Sequence, residues 1–500
     1  MSTTLSESAT NSPASPLIIE NAHLIGGEWV PAVSGETIEV INPATREVLA
    51  RVPRGTAADV DNAVKAAAEA FPKWRDTSAT VRGELVAKWA QLIRQHEAEI
   101  DRLESMEVGR PHWGPLPIPR QLEFIAGQAD KVLGTTMPTH SPDVIGLTLR
   151  EPYGVVGSII PWNAPGPMFC NDVGAAIAAG NTIVIKPAED APLTPLALAK
   201  LAMEAGIPAG VVNVVTGYGH EAGAAVAGHK GIRRMSFTGS PETGELVMAA
   251  CAKNLTPLHL ELGGKSPQVI FADANLDAAI PQIVAGITLN TGQICAAGSR
   301  VVVERSVHAE VVRRLAEEMK KVTVGPWHKP VRMGPLINAK QHDRVLGYIK
   351  IGQEEGADLV LGGGVPKGEE FERGFFVEAT LFDNVGPDMR IAQEEIFGPV
   401  ACVLKFSSEE DVLRKANDIV YGLAAGIQTN DIKRAHKLAR RLKAGSVWIN
   451  TYHRIETSCP FGGYKMSGYG RENGTAMVQY LTRTKSVAVD LNDYTLDLFA

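Results

Sequence analysis

Gly154-Val155-Val156-Gly157-Ser158-Ile159-Ile160 runs directly into Pro161-Trp162-Asn163-Ala164-Pro165, and this junction sets the fold class. The first seven residues are small or β-branched and carry no charge, the composition of a strand buried on both faces. Similar runs recur at Thr182-Ile183-Val184-Ile185, at residues 211–215 and at Met235-Ser236-Phe237. Between them lie helical segments: one closing over residues 175–179 and stopped by Gly180, one over 196–205 and one over 241–252. Short β-rich runs alternating with helices of about ten residues imply an α/β fold with a parallel, doubly wound sheet. Ligands of such sheets sit at the carboxyl ends of the strands, so the Pro-Trp-Asn turn becomes a candidate site.

Outward from this centre, Ser266-Pro267-Gln268-Val269-Ile270-Phe271 opens a second α/β run that extends to about residue 462. It holds a helix over 276–289, amphipathic helices over 309–322 and 340–355, and a helix over 433–442 whose basic face reads as solvated. On the amino-terminal side, residues 21–43 read as short strands. Residues 60–70 and 80–106 carry apolar side chains at helical spacing, with Trp74 expected in the core. The segment 134–151 differs, with Pro, Thr and an alternating stretch over 144–149 that suits a β-arm. Residues 482–491 alternate as an edge strand does, and such edges invite pairing with another strand. Self-association is the expectation.

Five hundred residues exceed the ~250–300 at which one core stops growing, so two or three domains are expected. A hydrophobic content of 45% with 21% charged residues is ordinary for a soluble globular protein. A net charge of -7 offers no basic surface of the kind nucleic acid needs. No run of about eighteen apolar residues occurs, so no membrane span is expected. Cys170, Cys251, Cys295, Cys402 and Cys459 are odd in number, scattered and never in a Cys-x-x-Cys pair. That pattern implies reduced thiols in a cytoplasmic compartment, with neither a disulfide framework nor a zinc site. Residues 1–16, rich in Ser, Thr and Ala, are expected to form a disordered tail, and they lack the features of a secretory or transit peptide.

Five stretches carry chemistry. Asn290-Thr291-Gly292-Gln293-Ile294-Cys295-Ala296-Ala297-Gly298-Ser299-Arg300 sets one cysteine among small residues between a helix and a strand. Small neighbours let a substrate carbon approach a sulfur that is nucleophilic once ionised. Asn163, held between two prolines, has an amide that can be aimed, and such a donor at a developing oxyanion is worth about 3 kcal/mol. Lys186-Pro187-Ala188-Glu189 ends the second strand with a pair suited to ribose hydroxyls, and the carboxylate there repels a 2′-phosphate. Phe237-Thr238-Gly239-Ser240-Pro241-Glu242-Thr243-Gly244 leads a strand into a helix whose N-terminus favours a pyrophosphate, and Gly217-Tyr218-Gly219 ends the preceding strand similarly. Leu260-Glu261-Leu262-Gly263-Gly264-Lys265 places a carboxylate in apolar surroundings, which shifts it towards general-base work near neutrality.

With Gln393-Glu394-Glu395-Ile396-Phe397-Gly398-Pro399 and Pro460-Phe461-Gly462-Gly463-Tyr464-Lys465, these motifs in this order resemble the aldehyde dehydrogenase superfamily from about residue 20 to the end. The resemblance implies a Rossmann-type cofactor domain (17–133 and 152–264) and an α/β catalytic domain (265–470). It also implies a small β oligomerisation arm (134–151 and 471–500), as in homodimers or homotetramers. It implies Cys295 as nucleophile, Glu261 as general base and Asn163, with the Cys295 backbone N–H, as oxyanion hole. NAD is the implied cofactor, held by Ile160, Pro161, Trp162, Lys186, Glu189, Gly219, Phe237, Gly239, Ser240, Gly244, Leu262, Glu395 and Phe397. No metal is required. The substrate pocket would draw on Met168, Asn171, Ile294, His453, Ile455 and Phe461, and polar residues there, with Arg454 nearby, would suit an aldehyde bearing a polar or acidic tail. The implied reaction is NAD-dependent oxidation of an aldehyde to its acid through a thioester on Cys295. A coenzyme A-acylating relative and a non-catalytic relative are the alternatives, and Glu261 argues against the first of them.

Overall fold

The computed structural model describes residues 21–112, 114 and 116–492. The tail expected over 1–16 lies outside them, as do residues 493–500 of the expected arm. Five strands form the parallel centre of an eight-stranded sheet: Leu258–Glu261, Arg234–Thr238, Val155–Ile159, Thr182–Lys186 and Val212–Val214, in that spatial order. Every residue of Val155–Ile159 and Thr182–Lys186 is buried, as an uncharged run requires once helices cover both faces. Lys186 alone brings charge, at the last position of its strand.

From Val155–Ile159 the chain builds two strands on one side, then crosses to Arg234–Thr238 and Leu258–Glu261 on the other. The winding reverses at Val155–Ile159. Loops leaving adjacent strands diverge at such a point and open a crevice at the carboxyl edge. Antiparallel strands close the sheet: His23–Ile25 with Glu28–Val30 at one side and Gly468–Tyr469 at the other. The helix Pro165–Ala178 begins with proline, whose missing N–H costs nothing in a first turn. It presses close to its neighbour because Gly174 lacks a side chain: a Cβ there would lie 2.7 Å from Leu122 Cδ2.

The stretch 80–106 is two helices, Ala79–Gln95 and Glu97–Val108. His96 leaves helical geometry between them (φ -107°, ψ 16°) and its Nδ1 lies 2.6 Å from Glu99 Oε2. The apolar period runs on across the break, which is why periodicity alone does not reveal it. Trp74 is buried and donates its indole N–H to Ile177 O at 3.2 Å.

The second sheet has seven strands in the order Asp358–Leu361, Thr380–Asp383, Val400–Phe406, Arg300–Glu304, Pro267–Ile270, Ala424–Gln428 and Ser446–Ile449. All of its pairings are parallel except that of the first strand. A third sheet joins Thr482–Asp490, Val144–Pro152 and Thr136–Met137, the first two paired over nine residues from Thr482↔Pro152 to Asp490↔Val144. Ahead of that strand, the helix Gly474–Tyr480 sends Met477 and Val478 into the core beneath the first sheet. The carboxyl-terminal segment thus crosses the first sheet before reaching the third, and it brings Arg471 and Glu472 with it.

Candidate active site

Four of the loops named from sequence leave adjacent strands at the carboxyl edge of the first sheet. Lys186 ends one strand, residues 160–163 follow the next, Gly239 and Ser240 follow the third, and Glu261 ends the fourth. Cys295 reaches this edge from the second sheet's side. The helix Leu276–Thr288 gives way to a tight turn in which Asn290 (φ 48°), Thr291 (φ 58°) and Gly292 (φ 71°) are all left-handed. A β-branched residue there is strained, and such strain persists only where the surroundings over-determine it. Here Asn290 Nδ2 donates to Asn163 O (2.9 Å), Thr291 Oγ1 to Gly334 O (3.0 Å) and Gln293 Nε2 to Asn290 O (3.0 Å). Gly292 is required twice over, since a Cβ would lie 2.3 Å from the Gly398 carbonyl.

The Asn163 amide locks onto the same turn, donating one proton to Gln293 O at 2.9 Å. An amide nitrogen carries two protons, so a second N–H remains on a side chain fixed to the turn that leads to Cys295. The Gly263-Gly264 corner after Glu261 lies against the Cys295 backbone, where a Cβ on Gly264 would meet Cys295 O at 2.5 Å. Cys295 is half-buried, as is Ile294, and both pack on Phe461, Ala296, Leu423 and Ala424 with Trp448 alongside.

Glu261 is 4% exposed. Its Oε1 lies 3.3 Å from His259 Nε2, while its Oε2 is buried with no hydrogen-bond partner. Burial pushes its carboxyl well above the usual range, the neighbouring Glu472 adds to the rise, and Arg471 opposes it. Burial likewise pushes the Cys295 thiol up, with Glu261, Glu395 and Glu472 contributing and the Ala296 N–H working the other way. The thiol and the carboxyl are each held towards their neutral forms, and perturbed titratable groups of this kind cluster at functional sites.

The residues implied for a dinucleotide fall into three clusters. Lys186 Nζ, almost wholly buried, lies 2.8 Å from Glu189 Oε2, and the Gly219 N–H also reaches the Glu189 carboxylate. Ile160 N bonds Lys186 O at 3.1 Å. In the second cluster Ser240 caps the twelve-residue helix Pro241–Ala252, accepting from Thr243 N at 3.3 Å, and Gly239 N donates to Glu261 O at 3.0 Å. Side chains fill the space glycine leaves there: a Cβ on Gly239 would meet the Phe237 ring at 2.5 Å, and one on Gly244 would meet Leu262 Cδ2 at 2.8 Å. The third cluster sets the Trp162 and Phe397 rings edge to face at 5.3 Å, beyond the half-buried Pro161. Nearby Glu395 Oε1 accepts from Gly264 N at 3.0 Å, and burial pushes the Glu395 carboxyl up to about 7. A glycine-lined corner, an open helix N-terminus and two carboxylates suited to ribose hydroxyls fit a dinucleotide.

The residues implied for the substrate pocket separate. Phe461 and Ile294 meet at Cys295. Asn171 is 3% exposed and accepts from Gln121 Nε2 at 2.8 Å, while Met168 packs against the core beneath the first sheet. His453 (φ 55°) places Nε2 2.9 Å from Ala296 O, a carbonyl that also accepts from Tyr452 Oη at 2.9 Å. Ile455 is 49% exposed, and Arg454 pairs with Glu456 at 3.1 Å. Sequence reading missed Trp448, His259, Arg471 and Glu472. The only local signal among them is the alternation His259, Glu261 on one strand, which puts both side chains on one face.

A sequence-family model described as the aldehyde dehydrogenase family matches residues 29–487. The chain is 45% identical over 495 residues to a Rattus norvegicus protein named aldehyde dehydrogenase, cytosolic 1, covering 97% of this chain and 98% of that one. It is 46% identical over 480 residues to aldehyde dehydrogenase 1 of Tanacetum cinerariifolium, covering 93% and 94%. Its fold superposes with a TM-score of 0.95 and 36% identity on a point mutant of betaine aldehyde dehydrogenase from Staphylococcus aureus, solved in complex with NAD+, covering 97% and 100%. Among the described residues, no helix is long and apolar enough to cross a membrane.

Proposed function

This chain belongs to the aldehyde dehydrogenase family, and on that premise we propose that it oxidises an aldehyde to the carboxylic acid with NAD, through a covalent thioester on Cys295. The observation that carries the reading is the Asn163 amide, fixed to the turn that bears Cys295 with one N–H to spare. The Cys295 thiolate attacks the aldehyde carbon, and the developing oxyanion is met by the free Asn163 N–H and the Cys295 backbone N–H. NAD, when bound, supplies the hydride acceptor, and its adenosine end would be held by Lys186, Glu189 and Gly219. The resulting thioester is hydrolysed by water that gives its proton to Glu261. The Oε2 oxygen suits that task, because nothing in the protein occupies it.

A buried carboxylate with one oxygen left unpartnered is suited to bind and deprotonate water, which supports hydrolysis rather than transfer to coenzyme A. The apolar contacts of Phe461, Ile294 and Trp448 around the thiol support an aldehyde with an uncharged chain. The polar residues first expected to greet an acidic tail bond elsewhere: His453 to Ala296 O and Arg454 to Glu456. Steady-state NADH formation against short aliphatic, long aliphatic, aromatic and acid-semialdehyde substrates tests this, with uncharged members expected to lead. A clear preference for the semialdehydes would refute the substrate assignment. Release of an acyl-coenzyme A when coenzyme A is added would refute hydrolysis.

Glu189 supports NAD over NADP, because its carboxylate, held by Lys186 and below its ordinary range despite burial, would repel a 2′-phosphate on a ribose bound there. Glu189→Gln is expected to raise the NADP-to-NAD ratio of kcat/KM by about tenfold through lost charge repulsion. An unchanged ratio would show that the carboxylate never meets the 2′ position.

The β-arm supports assembly into a homodimer or homotetramer. Its paired strands line up Val489 with Ile145, Val487 with Leu147 and Lys485 with Leu149, so five apolar side chains share one face. Ile145, Leu149 and Val489 are more than 40% exposed in the single chain, a patch that association covers. Leu149→Lys combined with Val489→Lys is expected to shift the protein to a smaller species in analytical ultracentrifugation, and an unchanged mass would remove the arm from the interface. The unpaired cysteines support a reducing, cytoplasmic setting.

A further inference from the structure

Behind Glu261, on the same face of its strand, lies a buried polar row the mechanism above does not use. His259 shares its strand face with Glu261 and places Nε2 3.3 Å from Glu261 Oε1. Its Nδ1 lies 3.3 Å from Ser236 Oγ, directly across the ladder, where Ser236 pairs with His259. Ser236 in turn hydrogen-bonds Asp172, which the helix Pro165–Ala178 presents to the sheet and which also accepts from Ser158 Oγ. His259 and Ser236 are each 7% exposed and Ser158 is fully buried. A row of polar side chains in place of apolar ones is costly on a buried sheet face. The row opens on a cavity lined by Asp172, Ser236, His259, Arg471, Glu472 and Tyr480, and Tyr480, 46% exposed, stands at its solvent side.

We propose that His259, Ser236 and Asp172 form a proton wire that clears the proton Glu261 takes from the hydrolytic water. This rests on the oxidation reading given above. Each turnover leaves one proton on Glu261, and the base cannot act again until it is gone. In the wire, rotation of the protonated Glu261 carboxyl turns its O–H to His259 and the proton passes to Nε2, the Nδ1 proton passes to Ser236 Oγ, and the Ser236 hydroxyl proton passes to the Asp172 carboxylate. Glu261 ends ionised, the serine again carries one proton, and the neutral imidazole ends as its Nε2–H tautomer, which exchanges back to the Nδ1–H form through water in the cavity before the next passage. Asp172 then gives its proton to water in the cavity, which accounts for one of the two protons released when an aldehyde becomes a carboxylate.

The surroundings suit a neutral imidazole. Burial first, then the positive charges of Arg234 and Arg471, push His259 down to about 3, so it moves protons by tautomer exchange rather than by becoming a cation. Burial pushes Asp172 up to about 6, opposed by its serine partners and Arg234, so it accepts and releases a proton near neutral pH. Glu472 faces the same space, pushed up to about 8 by burial and by Asp172 and hydrogen-bonded to Thr238.

The test follows successive turnovers with acetaldehyde and NAD in excess over enzyme, timing the NADH of the first turnover and the acetate released in later ones separately by rapid quench. In His259→Gln the amide keeps a hydrogen bond to Glu261 and cannot exchange tautomers. NADH formation in the first turnover is expected to stay within about twofold of wild type while acetate release in later turnovers slows about tenfold. The dependence of acetate release on deuterium fraction should change from curved to linear, because several protons no longer move together. Ser236→Ala, a loss of one oxygen, should do the same and carries the test if the glutamine variant does not fold. Acetate release at the wild-type rate in either variant overturns the wire, as does a slowing that leaves the curvature intact. Absence of NADH from the wild-type protein would instead overturn the oxidation reading on which the wire stands.

Discussion

Cys295→Ala is expected to lower aldehyde-dependent NADH formation by at least about four orders of magnitude, since removing the nucleophile from a unit that acts together removes nearly all of its effect. The size follows from geometry. The fixed Asn163 amide meets an oxyanion only if a covalent adduct forms at Cys295, so without sulfur that donor has nothing to stabilise. The alanine variant should still fold, because Cys295 is half-buried and packs beside alanines in a small cluster. Binding of NAD, read by protein fluorescence, should therefore survive. Loss of NAD binding together with activity would point to a structural role for the cysteine.

Glu261→Gln should separate the two halves of the reaction. An amide cannot take a proton from water, so thioester hydrolysis is expected to slow about 10²–10⁴-fold, while the first NADH per active site still forms. The acyl-enzyme then accumulates. The wild-type pH dependence has a definite sign: hydrolysis needs ionised Glu261, whose carboxyl burial has raised, so the rate falls as pH drops through a value well above the ordinary carboxylate range. In the glutamine variant that acid limb should vanish. Its persistence would assign the titration elsewhere, to Glu472 or to Cys295 itself, both raised by burial beside Glu261.

The strands of the first sheet were legible because a run such as Val155–Ile159 has no charge, and a fully buried strand tolerates none. The end of the helix Pro165–Ala178 was legible from Gly180, while its start was not, because Pro165 read as part of the turn around Asn163. The break at His96 was not legible, because the apolar face continues on both sides of it. In the site, the small residues around Cys295 and the proline-held Asn163 marked both positions from local composition, and the fold ties them to one turn. The left-handed turn at Asn290 and Thr291 did not, since it is imposed by bonds to Asn163 and Gly334, well over a hundred and about forty residues away. His453 and Arg454 looked free as a sequence and are engaged in the fold, by a backbone carbonyl and by Glu456. Glu472 comes to Glu261 only because Gly468–Tyr469 pairs with Leu258–Glu261, a contact between segments two hundred residues apart. Residue type sets what a side chain can do; long-range pairing sets whether it is available to do it.

The most direct measurement of the central claim is the intact mass and peptide map of Glu261→Gln protein, quenched in acid after one turnover with acetaldehyde and NAD. Covalent capture predicts one acetyl group per chain, carried by the peptide containing Cys295 and released by hydroxylamine. NADH formed in stoichiometric amount with no acyl group on Cys295 would contradict it.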